Sequence, residues 1–277
     1  MANRPTVRGK RAKTTAYRSG PFAARLFARV CLLAGTLLVI GAIGAAATQS
    51  STAVADVCAQ EKAALVAARL QAQAAPNAEV GDGIVLPRSA SLAVPALQQY
   101  PELPTGCESV ALTNVLLSYG FDLQKTEIAD QWLPTSDTDF VNAFMGDPRT
   151  AEGHSCMAPA IVRAASAYLA AQGSSLEAVD LSGASFESLL QEVADGNPVL
   201  VWCTIDLQDA GAAYSVANVS GRTYRLFAAS HCGVLSGYNL NEGIVQVSDS
   251  LAGAVACDLE TFAARYFQLG SQAVVIA

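Results

Sequence analysis

The pattern of apolar and polar residues changes near the middle of this chain. Between 107 and 196, apolar residues recur every three or four positions, which is typical of buried helices. Beyond 198, short runs of branched and aromatic residues are typical of strands. Helices followed by strands predict an α+β domain whose two halves face each other across a cleft.

The pattern also predicts where the individual elements begin and end. Helices are expected at 107–119, 125–132, 157–173, 185–196 and 258–270. Strands are expected at 199–205, 223–228, 231–239, 243–249 and 272–277. Ser185 is a candidate N-cap, and Gly196 followed by Pro198 ends the fourth helix.

An uncharged apolar stretch at 30–48 is about long enough to cross a membrane. It follows a basic arm at 1–29, which the positive-inside rule places in the cytoplasm, so later residues are expected outside. Small-residue motifs at 45–47 and 53–55 resemble cleavage sites, so both a retained anchor and a cleaved signal peptide stay open. Residues 49–90 are expected to form a linker or stalk, and 91–277 the main folded domain.

Composition and charge limit the possible functions. The 277 residues are 52% apolar and carry a net charge of -7. Eight basic groups and no acid fall in the first thirty residues, so the rest of the chain has nine bases against 24 acids. An acidic body of this kind repels phosphate backbones, which argues against nucleic-acid binding.

Cys107 stands at the start of a predicted helix, after a segment rich in proline and glycine. A helix N-terminus and a nearby imidazolium both favour a thiolate, so we expect an acidified nucleophile. The chain has two histidines, and His231 opens a strand that is followed by Asp249 at the end of the next. Antiparallel pairing would join this imidazole and carboxylate, although Asp249 could instead only cap a turn.

The stretch VPALQQYPELPTGCE at 94–108 resembles the start of the bacteriocin-processing (double-glycine) peptidase-like family of papain-like cysteine peptidases. Further similar segments extend the resemblance over about residues 92–277: GDP at 146–148, CMAPAI at 156–161, NPVLVW at 197–202, HCGVLSGYN at 231–239 and VSDS at 247–250. The resemblance implies a papain-like fold with a helical N-terminal half packed on an antiparallel β-sheet.

By the same resemblance, the catalytic residues are Cys107, His231 and Asp249. The oxyanion-stabilising glutamine corresponds to Gln99, with Gln98 as the alternative. Members of the family usually have proline after the aspartate, whereas this chain has Ser250, which we expect to loosen the loop that holds Asp249.

These residues predict an extracytoplasmic cysteine peptidase that acts on peptides or proteins without a cofactor or metal. An acyl or amide transferase using the same triad and a non-catalytic surface binding module stay open as alternatives. His154 is expected in a loop. The pairing of the remaining cysteines also stays open: Cys58, Cys156, Cys203, Cys232 and Cys257.

Overall fold

The computed structural model of the chain describes residues 77–80 and 84–277. The predicted basic arm, the predicted membrane or signal segment at 30–48 and most of the predicted stalk lie outside these residues. Within the described ranges, no helix has both the length and the apolar character needed to span a membrane.

Four α-helices lie in the described part of the chain, and each begins within one residue of a predicted helix. They are α1 (Cys107–Ser118), α2 (Ala158–Ala171), α3 (Phe186–Ala194) and α4 (Leu259–Gln268). The helix predicted at 125–132 is only a short π-helical turn, Ile128–Trp132. Ser185 caps α3 as predicted, since its side chain accepts a hydrogen bond of 3.3 Å from the backbone N–H of Ser188.

The strands are numbered in chain order. They are β1 (Asn77–Val80), β2 (Ile84–Pro87), β3 (Ser89–Ser91), β4 (Thr135–Ser136), β5 (Phe144–Met145), β6 (Ala178–Asp180), β7 (Val199–Thr204), β8 (Ala213–Val219), β9 (Arg222–Phe227), β10 (Ser230–Asn239), β11 (Ile244–Asp249), β12 (Gly253–Asp258) and β13 (Ala273–Ile276). A 3-10 turn, Ile205–Leu207, follows β7.

An antiparallel sheet of seven strands forms the centre of the domain. Its order is β12-β11-β10-β7-β13-β6, and β3 pairs with β10 beyond the end of β7. The hairpins β1–β2 and β8–β9 and the short parallel pair β4–β5 lie outside this sheet. The long strand β10 therefore lies in the middle, with β11 on one side and β7 on the other.

Helices cover both faces of the sheet because side chains alternate along its central strands. On β7, Leu200 and Trp202 join a core that contains buried residues of α1 and α2. Val199 and Val201 join a second core with α3 and α4. The N-terminal end of α1 is thereby held against β10.

The folded body begins earlier in the chain than the sequence pattern predicts. Residues 49–90 are expected to form a linker or stalk, but β3 pairs with β10 and Leu86 of β2 is completely buried in the second core. These short strands contain proline and small polar residues, which do not predict a strand. Their stability comes instead from pairing with distant segments.

Candidate active site

Cys107 is the first residue of α1, as the sequence predicts. Its thiol is free, and 7% of the residue is exposed. Gly106 suits the position before it, because a Cβ there would come within 2.9 Å of the Leu103 Cβ and 3.2 Å of the Ser109 Oγ. The glycine lets the loop turn closely into the helix that carries the sulfur.

The sulfur of Cys107 lies against β10, the strand that carries His231. The backbone N–H of Cys232 lies near enough to this sulfur to lower the pKa of Cys107. The thiol also interacts electrostatically with Cys203, whose cross-strand partner on β10 is His231. Cys107 therefore lies near Cys232, which follows His231 on β10, and near Cys203, which pairs with His231 from β7.

His231 and Asp249 meet on the neighbouring strands β10 and β11. The Nε2 atom of His231 is 3.0 Å from Oδ2 of Asp249, an ion-pair distance, and makes no well-aligned hydrogen bond to the residues described here. His231 is buried. The contact leaves Nδ1 as the ring nitrogen that can take a proton from a thiol.

The second oxygen of Asp249 holds the turn that follows β11. Oδ1 accepts hydrogen bonds from the backbone N–H groups of Leu251 at 2.7 Å and Ala252 at 3.0 Å. Burial raises the pKa of Asp249, but the contact with His231 and these two N–H groups outweigh burial and lower the pKa to about 2. Asp249 thus caps a turn and contacts the imidazole at the same time.

Gln99 is buried between the turn after β11 and the loop before α1. Its Nε2 donates a hydrogen bond of 2.8 Å to the carbonyl oxygen of Pro104. Its Oε1 accepts a hydrogen bond of 2.7 Å from the hydroxyl of Ser250. The side chain therefore joins the Asp249 turn to the loop that leads into Cys107.

Gln98, the alternative, has a different environment. It is exposed, and its side-chain amide lies over the turn between β11 and β12. In the orientation that satisfies both of its ends, the amide donates to the Leu251 carbonyl at 2.9 Å and accepts from the Gly253 N–H at 3.2 Å. Gln98 is thus occupied away from the loop that leads to the sulfur.

Ser250 does not loosen the loop, contrary to the expectation from sequence. The residue is 2% exposed, and its carbonyl oxygen accepts a 2.9 Å hydrogen bond from the backbone N–H of Gln99. With the hydroxyl contact, Ser250 makes two hydrogen bonds to one residue. A hydrogen-bonded serine ties down the turn beside Asp249, although it lacks the ring constraint of proline.

Glu108 is a further buried carboxylate at this site, and it is absent from the sequence-based predictions. It is 1% exposed. One oxygen accepts hydrogen bonds from the Ser155 hydroxyl and from the Cys156 backbone N–H, the latter at 3.0 Å. The other oxygen lies 3.3 Å from the sulfur of Cys107 and accepts the thiol hydrogen. The sequence signal was an acid in the first helical turn, which usually faces solvent.

The electrostatics of the thiol differ from the acidified nucleophile expected from sequence. Burial raises the pKa of Cys107 well above its ordinary value, and the Glu108 carboxylate raises it further, while the Cys232 N–H acts in the opposite direction. Burial also raises the pKa of Glu108, against its hydrogen bonds from Ser155 and Cys156. Burial and the neighbouring carboxylate thus both favour the thiol over the thiolate.

His154 and Tyr214 form an exposed pair near these residues. The Nδ1 atom of His154 is 3.0 Å from the Tyr214 hydroxyl, and their rings are 5.9 Å apart. Partial burial raises the pKa of Tyr214, and the charge of Glu108 adds to the effect. The loop that carries His154 therefore comes close to the Cys107 end of α1, which sequence alone did not show.

The other cysteines of the described part are also free thiols. Cys156, Cys203 and Cys232 are buried, and Cys257 is partly exposed. Within the same residues, no group of three or more histidine, cysteine, aspartate or glutamate side chains is arranged to hold a metal ion.

Comparison with known proteins gives the family. The family model described as Peptidase_C39 like family matches residues 91–274, about two thirds of the chain. The chain belongs to this C39-like family. The resemblance found in the sequence is confirmed at this level, and the fold is that of a cysteine peptidase: mixed α and β, with an antiparallel sheet.

Two similar proteins each match about two thirds of this chain. The uncharacterized protein YvpB of Bacillus subtilis (strain 168) is 28% identical over 184 residues, which are 64% of this chain and 70% of YvpB. A Bacillus anthracis protein, described in its crystal structure as a C39-like peptidase, is 27% identical to this chain. The two structures give a TM-score of 0.58, and the match covers 68% of this chain and 97% of that one.

Proposed function

We propose that this C39-like chain is a cysteine peptidase that hydrolyses peptide bonds through Cys107, His231 and Asp249. The observation that carries the proposal is the 3.0 Å contact between His231 Nε2 and Asp249 Oδ2. The strand of this histidine also supplies the Cys232 N–H that meets the sulfur of Cys107. Family membership supports the same class of reaction.

In the first half of the reaction, Nδ1 of His231 takes the thiol proton as the sulfur of Cys107 attacks the peptide carbonyl carbon. A carbon–sulfur bond forms and the carbonyl electrons move to the oxygen. Asp249 holds the ring and stabilises the imidazolium. The intermediate then expels the amine, which takes the proton from His231, and a thioester remains on Cys107.

In the second half, His231 takes a proton from water as the water oxygen attacks the thioester carbon. The carbon–sulfur bond breaks, the carboxylic acid leaves, and the proton returns to sulfur. The backbone N–H of Cys107 and an amide N–H of Gln99 would stabilise the oxyanion in both halves. Removing one such donor typically lowers kcat about 10²- to 10³-fold.

We also propose that the domain acts on peptides or proteins outside the cytoplasm. The support is the basic arm before the uncharged stretch at 30–48, an order that keeps the arm inside. The domain would remain attached to the membrane if this stretch is retained and would be secreted if it is cleaved. Protease digestion of intact cells tests the location, since a C-terminal epitope that resists digestion and stays with the cells would contradict it.

The activity is tested with the full chain, its Cys107→Ala variant and a mixed peptide library analysed by mass spectrometry. We expect new peptide ends with the native chain and none with the variant. Equal product sets would assign the cleavage to a contaminant. Repeating the reaction with added amine separates hydrolysis from transfer, because a transferase would yield amine-capped products.

A further inference from the structure

The side-chain amide of Gln99 is held in a single orientation by its two neighbours. A carbonyl oxygen can only accept a hydrogen bond, so Nε2 must face the carbonyl of Pro104, 2.8 Å away. The Ser250 hydroxyl lies 2.7 Å from Oε1 and donates its hydrogen there. Gln99 and Ser250 are 3% and 2% exposed, so water does not readily replace either contact.

The backbone strengthens the link between these residues. The N–H of Gln99 donates a hydrogen bond of 2.9 Å to the carbonyl oxygen of Ser250. Ser250 directly follows Asp249, whose Oδ1 fixes the same turn through the N–H groups of Leu251 and Ala252. The turn that places the carboxylate against His231 therefore also holds Gln99.

We propose that Ser250 is a positioning residue, whose hydroxyl orients the Gln99 amide so that its second N–H is directed to the oxyanion. This inference rests on the proposed function. An amide –NH2 group has two hydrogens, and the bond to Pro104 uses one of them. Ser250 itself contacts neither the substrate nor the reacting atoms.

Without the hydroxyl, Oε1 of Gln99 loses its buried donor, and the amide is held at one end alone, by its bond to the Pro104 carbonyl. The amide plane can then turn about that bond and direct its second N–H away from the developing negative charge. The expected loss is confined to steps in which the oxyanion forms.

The experiment compares the full-length wild type, Ser250→Ala, Ser250→Thr, Gln99→Ala and the Gln99→Ala/Ser250→Ala double variant. The substrate is the peptide cleaved fastest in the library, and the probe is its C-terminal aldehyde, which forms a tetrahedral adduct with a catalytic thiol. We expect Ser250→Ala to lower kcat and aldehyde affinity about tenfold, the usual effect of one hydrogen bond, with little change in KM. Threonine, which keeps the hydroxyl, should restore most of both.

Two further readouts separate positioning from a structural role. Alkylation of Cys107 by iodoacetamide forms no oxyanion, so its rate should be the same in wild type and Ser250→Ala. In the Gln99→Ala background, removal of the hydroxyl should have no further effect on kcat. The inference would be overturned if Ser250→Ala also showed slower alkylation, a higher KM and a lower Tm, each change as large as the fall in kcat. A further tenfold fall in kcat from Gln99→Ala to the double variant would overturn it too.

Failure of this inference differs from failure of the proposed function. If wild type and Cys107→Ala cleave equally, both ideas fall. If cleavage depends on Cys107 but Ser250→Ala retains full kcat and aldehyde affinity, only the positioning role is refuted. Should Ser250→Ala not fold, Ser250→Cys keeps the volume with a weaker donor and should show the same selective loss at smaller size, while unchanged kcat would refute the role.

Discussion

Replacement of Glu108 by glutamine should make Cys107 more reactive, although it removes a buried group beside the nucleophile. In the native site the thiol hydrogen lies towards a carboxylate oxygen 3.3 Å from the sulfur. A glutamine oxygen can still accept from the Ser155 hydroxyl and the Cys156 N–H, so the local structure should persist. The change removes the charge that opposes the thiolate.

The magnitude follows from that contact. A hydrogen bond to a charged group contributes about 1.5 to 3 kcal/mol, and it favours the thiol over the thiolate here. About 1.4 kcal/mol corresponds to a factor of ten, so the thiolate fraction of Glu108→Gln should rise about ten- to a hundredfold near neutral pH. Burial of the sulfur is common to both proteins and does not change this ratio.

The assay is the rate of iodoacetamide alkylation between pH 6 and 9, with the modified peptide identified by mass spectrometry because other thiols are present. Glu177→Gln is a matched control, since Glu177 is exposed beside the edge strand β6, away from Cys107. We expect faster alkylation of Cys107 in Glu108→Gln alone. An equal or slower rate in a variant that melts like wild type would refute the electrostatic argument.

The remaining predictions concern stability and pH. The pKa of Asp249 is lowered to about 2. Its contribution to the free energy of unfolding is therefore full above the ordinary carboxyl pKa of about 3.9 and is lost as the pH falls through about 2. Asp249→Asn should therefore reduce the fall in Tm between pH 4 and pH 2, and an unchanged slope would contradict this. Burial raises the pKa of Cys203. Its contribution to the free energy of unfolding is therefore full below the ordinary thiol pKa of about 8.5 and is lost as the pH rises above that value. Cys203→Ala should flatten the fall in Tm above pH 9, whereas a slope as steep as wild type would count against a thiol that stays protonated in the fold.

The sequence predicts the long elements well because turn residues bound them and their composition suits helix or strand. The start of α1 at Cys107 could be placed from the prolines and glycine before it, and β10 and β11 from their branched residues. Strand β12 was missed because alanine and glycine occupy much of Gly253–Asp258, and such residues have low strand propensity. Its place as an edge strand comes from pairing with β11.

The site was predictable only where chemistry narrows the choice. With two histidines in the chain, His231 and its carboxylate partner could be proposed from strand order alone. The burial of Glu108 could not be predicted from sequence, because it depends on residues 155–156 lying against the start of α1. The contact between Gln99 and Ser250 likewise joins positions 151 residues apart, which no local pattern encodes.

The central claim is that Cys107 and His231 act as one unit, and the cleavage rate of a single library peptide tests it most directly. The account predicts that Cys107→Ala and His231→Ala each lower kcat/KM at least about 10³-fold, and that the double variant is no worse than either, as expected for residues that act together. Retained cleavage in His231→Ala, or independent and additive losses in the double variant, would contradict it.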